Sequence, residues 1–112
     1  MVETDYCGIM TGKKTDKASL FDIFYGEVET APMIRKCRIN MELQLHDVLN
    51  LGQHEIFVGE LVQTWVDEGV VNDGKVDIAA LRPLLFDMAS INYWSLGQPV
   101  GNCWSAGKAL KR

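Results

Sequence analysis

One stretch, residues 37–67, constrains the fold of this chain more than any other. Cys37, Ile39, Met41, Leu43 and Leu45 alternate with Arg38, Asn40, Glu42, Gln44 and His46, a period of two that only a strand converts into one wet and one dry face. The reading is a half-buried strand. Past Leu51, Gly52, Gln53 and His54 the chain is apolar on both registers, with Phe57, Leu61 and Trp65 on one side and Ile56, Val58, Val62 and Val66 on the other. That pattern predicts a strand covered on both faces, so the two form one long hairpin at the centre of a sheet or barrel. Gly59, inside the second strand, marks a bulge or the close approach of another backbone.

The flanking chain is organised in short pieces. Residues 3–12 carry Tyr6, Ile9 and Met10 at helical spacing behind Thr4 or Asp5 as N-cap, with Gly12 as a stop. Thr15 and Asp16 cap a second expected helix over 17–24, whose apolar stripe is Leu20, Phe21 and Phe24. Ala31 and Pro32 fit an extended edge segment leading into the hairpin. Downstream, Asn72, Asp73 and Gly74 form a strong turn signal, and Asp77 caps a short helix that Pro83 limits. Residues 84–86 return toward the core, 91–97 are aromatic and extended, and 102–110 are read as a frayed closing helix.

Length and charge narrow the class. With 112 residues, 47% hydrophobic and 23% charged, the composition is that of a single globular domain. A net charge of -4 and a pI near 5.0 lack the basic footprint that phosphate backbones require, which argues against nucleic acid as a partner. No apolar run is long enough to span a bilayer and the first residues are acidic, so the expected location is the cytoplasm, without a membrane partner. Cys7, Cys37 and Cys103 are an odd, widely spaced set that suits reduced thiols. With His46 and His54 they show no CxxC or HxxxH spacing, and no metal site is expected.

Several separated pieces, taken together, resemble one family. Tyr6, Cys7 and Gly8, then Thr11 and Gly12, Asp16 and Lys17, Ala31 and Pro32, Gly52 to His54 with Phe57 to Glu60, the Asp73-Gly74-Lys75 turn, Pro83 and Leu84, and Tyr93 to Gly97 follow one another. In order and spacing they look like the second half of the flavin reductase-like proteins, the flavoredoxin group. The resemblance implies a mainly β fold with short helices, a Greek-key type split β-barrel that binds FMN, of which the N-terminal barrel strands are absent here. It implies a single, incomplete domain over 1–112: a helical segment 1–26, the central hairpin region 27–71, and a turn, short helix and extended or helical segment over 72–112. It also implies a homodimer, with NAD(P)H or an electron-transfer partner. Gln53 departs from the acidic residue that usually precedes the histidine, and Thr11 from a frequent serine.

By that resemblance the cofactor-binding positions are Cys7, Gly8, Thr11, Gly12 and Lys17; Tyr93 and Trp94 are further candidates, able to stack on a flavin or a partner subunit, with core lids as the competing reading. Glycines let a ligand approach the backbone, and a lysine supplies the point charge a phosphate needs. The competing reading makes the glycines turn residues and Lys17 a solvated helix lysine. His54, in the hairpin connection, is the catalytic candidate as a ring that donates or accepts at a nicotinamide or flavin edge; its competitor is a structural loop histidine, and His46 is read as exposed. Cys7 also suggests a redox thiol, against a small buried hydrophobe. The function expected is an FMN-binding oxidoreductase moving hydride or electrons through the flavin. The alternative is a truncated, non-catalytic half-domain that self-associates without flavin, and a barrel for another small molecule is a third class.

Overall fold

The structure is a computed structural model that describes residues 1–111. It divides into two units, Met1–Leu81 and a second beginning at Arg82. The first unit holds helix α1 (Val2–Ile9), strands β1 (Ile23–Phe24) and β2 (Met33–Ile34), the long strands β3 (Ile39–Asn50) and β4 (Glu55–Val66), the short pair β5 (Val71–Asn72) and β6 (Lys75–Val76), and helix α2 (Ile78–Leu81). The second holds β7 (Leu84–Asp87), β8 (Asn92–Ser95) and a 3-10 turn at Ala106–Leu110. Every described strand pairs antiparallel with one neighbour, giving the two-stranded sheets β1-β2, β3-β4, β5-β6 and β7-β8.

The hairpin is present as its alternation demands, but its register is interrupted twice. Leu45 faces Gly59 while Asp47 faces Val58, so His46 is an extra residue on β3; Glu42 faces Gln63 while Leu43 faces Leu61, so Val62 is extra on β4. Residues directly opposite one another share a face, and each bulge shifts the phase of its own strand. One face therefore carries Ile39 with Val66, Met41 with Thr64, Leu43 with Leu61, Leu45 with Gly59 and Val48 with Phe57. The other carries Asn40 with Trp65, Glu42 with Gln63, Asp47 with Val58 and Leu49 with Ile56.

Period-two reading of β4 put Trp65 beside Phe57 and Leu61. The extra Val62 moves it to the opposite face and brings Val66 across in exchange. At Gly59 the bulge expectation is met, since it lies opposite the extra residue His46, while what approaches closely is a side chain rather than a backbone: a Cβ there would come within 2.9 Å of Leu43.

Burial corrects the sequence reading more sharply. Met41, Leu43 and Leu45 were expected on a dry face and β4 was expected to be covered on both sides, yet Leu45 is 62% exposed and Phe57 66%. Residues 43–50 of β3 and all of β4 are exposed. Conversely Glu42, counted among the wet residues, is 0% exposed. Its carboxylate accepts Trp65 Nε1–H at 2.6 Å, Val28 N–H at 2.9 Å and Glu27 N–H at 3.2 Å. The backbone N–H of Gly26 adds to the set.

A closed ring of donors around an anion is what allows a carboxylate to leave water without a cation. The indole bond above all, with the backbone N–H groups, holds the Glu42 carboxyl below its ordinary value despite burial. A Cβ on Gly26 would sit 2.5 Å from the carboxylate oxygen, so the loop approaches this closely only with glycine there.

Around this clamp the base of the hairpin is well supported. Phe24 meets Trp65 edge to face at 6.4 Å between centroids, and the Arg35 guanidinium lies 5.0 Å over Phe24. Asn40 mimics backbone, accepting Ile34 N–H at 3.1 Å and donating to Cys37 O at 3.0 Å. The buried apolar residues are Met33 and Val70. Val70 ends a 3-10 turn capped by Asp67, whose Oδ1 accepts Gly69 N–H at 2.7 Å.

The turn chemistry holds and the helix expectations hold in part. Asp73 (φ 49) and Gly74 (φ 70) join β5 to β6 as the primed turn their sequence signals. Asp77 Oδ1 accepts Ala79 N–H at 2.9 Å and Ala80 N–H at 3.2 Å to open α2. The helix expected over 17–24 is a single 3-10 turn, Ala18–Leu20. Phe21 turns extended, and Ile23 and Phe24 pair with Ile34 and Met33, because a β-branched residue facing a ready strand gains more from pairing than from one more helical turn. Residues 84–86 form β7 with exposed side chains rather than reaching a core, and the closing helix shrinks to the Ala106–Leu110 turn with Trp104 outside it at φ 58.

Candidate functional site

The N-terminal candidates are brought together by one side chain. α1 runs from Val2 to Ile9 with Met1, not Thr4 or Asp5, at its N-cap, and stops at Met10, whose extended backbone precedes Gly12. The last carbonyls of a helix need outside donors. Met10 N–H satisfies Tyr6 O at 3.0 Å, and Lys17 Nζ donates to Cys7 O at 2.6 Å. A cation at a helix C-terminus is also favoured by the aligned peptide dipoles. Lys17 is thus a half-buried strut between α1 and the turn at Ala18–Leu20, which Asp16 caps by accepting Ala18 N–H at 3.0 Å.

Between these anchors runs an open turn. Lys14 N–H reaches Thr11 O at 3.2 Å and Lys13 N–H reaches Thr11 Oγ1 at 3.4 Å. Nothing lies within 4 Å of the Cβ positions of Gly8 or Gly12. Gly8 sits in the last turn of α1 rather than in a loop, so neither glycine is required by packing inside the chain. Three lysines at 13, 14 and 17 flank this open backbone, a donor set that fits the phosphate end of a flavin nucleotide.

Behind α1 lies a cavity of about 350 Å³, lined among others by Glu3, Cys7, Phe21, Ile34, Lys36 and Cys37. Glu3 and Lys36 form an ion pair across it, and the hydrogen bond from Lys36 chiefly holds the Glu3 carboxyl below its ordinary value. Sequence spacing gave no sign that Cys37 and Lys36 join Cys7 in lining one cavity. The signal that would have found them is the extended 33–34 segment, which carries residues 36 and 37 back alongside α1.

His54 is placed elsewhere. It ends the hairpin connection, where its carbonyl accepts Leu51 N–H at 2.8 Å, Asn50 Oδ1 accepts Gly52 N–H at 2.9 Å, and Gly52 adopts φ 85. Its ring is exposed, as is that of His46 on the bulge. Cys37 lies at the base of the hairpin, and the 12 residues of β3, at ~3.3 Å per step, separate base from tip by roughly 35 Å. Within one copy, therefore, His54 does not meet the Cys7–Lys17 cluster.

The second unit presents Tyr93 and Trp94 on β8. Tyr93 packs on Phe86 with centroids 5.3 Å apart and is half-buried, while the Trp94 indole is exposed. The β7-β8 turn is tied by Asp87, which accepts Ala89 N–H at 2.8 Å and the Ser90 hydroxyl; the Ser90 bond is the main cause of the lowered Asp87 carboxyl.

Residues 3–95 match the family model described as "Flavin reductase like domain", a span that runs across both units. The fold superposes on flavoredoxin from Methanosarcina acetivorans with a TM-score of 0.92 at 41% identity, covering 96% of this chain and 58% of that one. Flavoredoxin of Desulfovibrio vulgaris (Miyazaki F) gives 0.85 at 33% identity, again over 96% and 58%. Component B of nitrilotriacetate monooxygenase from Bacillus cereus shares the fold, at 0.75 and 20% identity over 90% of this chain and 54% of that one. An uncharacterized protein of Aeropyrum pernix is 35% identical over 66 residues, 58% of this chain and 24% of that protein. The chain thus spans well under two thirds of the length of the relatives it matches.

Proposed function

This chain belongs to the flavin reductase-like domain family, and from that premise we propose that it binds FMN and serves as a flavin-dependent oxidoreductase, active as a homodimer in the cytoplasm. The mainly β fold of the flavoredoxins and the family match supply the flavin-related oxidoreductase frame. The observation that carries the finer reading is the Lys17 strut: an ammonium fixed at Cys7 O beside an open, glycine-bearing turn. One of its three N–H donors is spent on the carbonyl, leaving two for a phosphate, and Lys13 and Lys14 add charge. Thr11 supplies a hydroxyl at the same turn, and Gly8 and Gly12 leave the backbone reachable. In the second unit, Trp94 offers by itself an exposed indole face for an aromatic ring.

Bound flavin supplies the hydride and single-electron chemistry. The protein's part is to hold the phosphate, offer ring faces and admit an electron donor such as NAD(P)H or a partner protein. His54 is assigned to the donor side, where a ring that can donate or accept a hydrogen bond orients a nicotinamide amide. Titration of FMN against the purified chain tests the reading. We expect saturable quenching of flavin fluorescence, weakened about tenfold in Lys17→Met, equivalent to about 1.4 kcal/mol, and reduced further by salt. Flavin fluorescence that stays unchanged at saturating protein overturns it. A second reading, a half-domain without a cofactor, is favoured by the exposed hairpin faces; it predicts that quenching is absent.

A further inference from the structure

The cavity behind α1 brings together two of the chain's three thiols. Cys7, half-buried in the last turn of α1, and Cys37, exposed just past β2, both line it, beside Phe21 and Ile34. A separate contact holds the two segments in register. Glu3 and Cys7 are four residues apart and so share one face of α1, while Lys36, which pairs with Glu3, immediately precedes Cys37. The ion pair thus pins α1 to the 33–37 segment one helical turn away from the thiols. Cys103 lies in the second unit. The flavin site proposed above uses the Cys7 carbonyl and leaves both sulfurs without a part.

We infer that Cys7 and Cys37 form a redox-responsive dithiol, which closes to an intramolecular disulfide when a small disulfide oxidant reaches the cavity. Cys37, the more exposed thiol, loses its proton and attacks one sulfur of the oxidant; a mixed disulfide forms on Cys37 and one small thiolate leaves. Cys7, deprotonated in turn, attacks the Cys37 sulfur, the mixed bond breaks, and the second small thiolate leaves. Two electrons pass from the dithiol to the oxidant, and the two thiol protons end on the leaving thiolates. Closure needs the two Cα atoms within about 7 Å, and the cavity gives the last turn of α1 room for that approach. The carbonyl that Lys17 holds moves with Cys7, so oxidation weakens FMN binding. That consequence rests on the flavin reading, whereas the disulfide itself does not.

The test incubates the reduced chain with oxidised glutathione under native conditions, quenches it in acid, and maps the peptides by mass spectrometry without reduction. A Cys7–Cys37 linkage is expected, retained in Cys103→Ser and absent from Cys37→Ser. Lys36→Met removes the contact that sets the register, and the ratio of closed disulfide to glutathione adduct should fall about tenfold as the two thiols lose effective concentration. Adducts that persist without closure, linkage to Cys103 in place of Cys7, or closure as complete in Lys36→Met as in the parent each overturn the inference. A chain that closes the disulfide yet, when reduced, leaves FMN fluorescence unchanged sinks the flavin reading and supports this one. A chain that binds FMN and never closes does the reverse.

Discussion

The two ends of the β3-β4 hairpin are built from the same pair of strands yet live in different solvents. At the base, residues 22–35 fold back over the far face, Glu42 is fully enclosed by backbone donors and the Trp65 indole, and Met33 is 4% exposed. Toward the tip, both faces and the Leu51–His54 connection stand open. The difference teaches that strand pairing here follows local register, while burial follows whatever else the chain supplies nearby.

Identical substitutions at the two ends should separate this most strongly. Met33→Ala removes a buried side chain and is expected to cost about 2–5 kcal/mol, whereas Phe57→Ala in the isolated chain should stay within about 0.5 kcal/mol of the parent. Chemical denaturation of both variants reads the contrast, and equal losses would break it. Next in size, Gly26→Ala drives a Cβ against the Glu42 carboxylate. A loss of about 1–3 kcal/mol is expected, with faster hydrogen exchange at Gly26–Val28 as its local sign; an unchanged melting curve would show that the clamp yields.

A smaller effect follows from charge. The Glu42 carboxyl is lowered in the folded chain by the indole and backbone donors, so it binds protons less readily folded than unfolded. Its contribution is complete above the unfolded value, about 4.3, and is lost as pH falls through the lower folded value. Thermal melts between pH 7 and pH 2.5 should therefore show an acid decline that is shallower in Glu42→Gln, which removes this carboxylate's share and leaves those of Glu3 and Asp87. The amide variant should also melt several degrees lower at neutral pH, because its NH₂ group confronts donors. Small as well is the effect of deleting His46, which leaves Leu45, Asp47 and Val48 on their present faces and should change stability by less than about 1 kcal/mol. A collapse of the fold would assign the bulge a larger role.

Much of the frame was legible in the sequence. Alternation located both long strands, Asp73 and Gly74 fixed the tight turn, and Asp77 announced α2. Phase was not legible, since a bulge consumes one residue without a compositional mark, and so Trp65 was assigned the wrong face. Glu42 was misread for a related reason: hydropathy treats every carboxylate as wet, and only the loop brought back by Gly26 gives it donors. At the candidate site Cys7, Lys17 and the turn were visible as types, while the strut between them, and the shared cavity of Cys7 with Cys37, depend on tertiary closure.

The Glu42–Trp65 bond also works as proofreading. In a hairpin zipped from its tip without the Val62 bulge, Ile39 rather than Asn40 would face residue 65, and the indole would point away from the carboxylate. Glu42 would then be short of a donor and the loop at 26–28 would close over an incompletely satisfied anion. Only the bulged register lets the base seal, so a misaligned hairpin stays open there and remains free to unzip and try again.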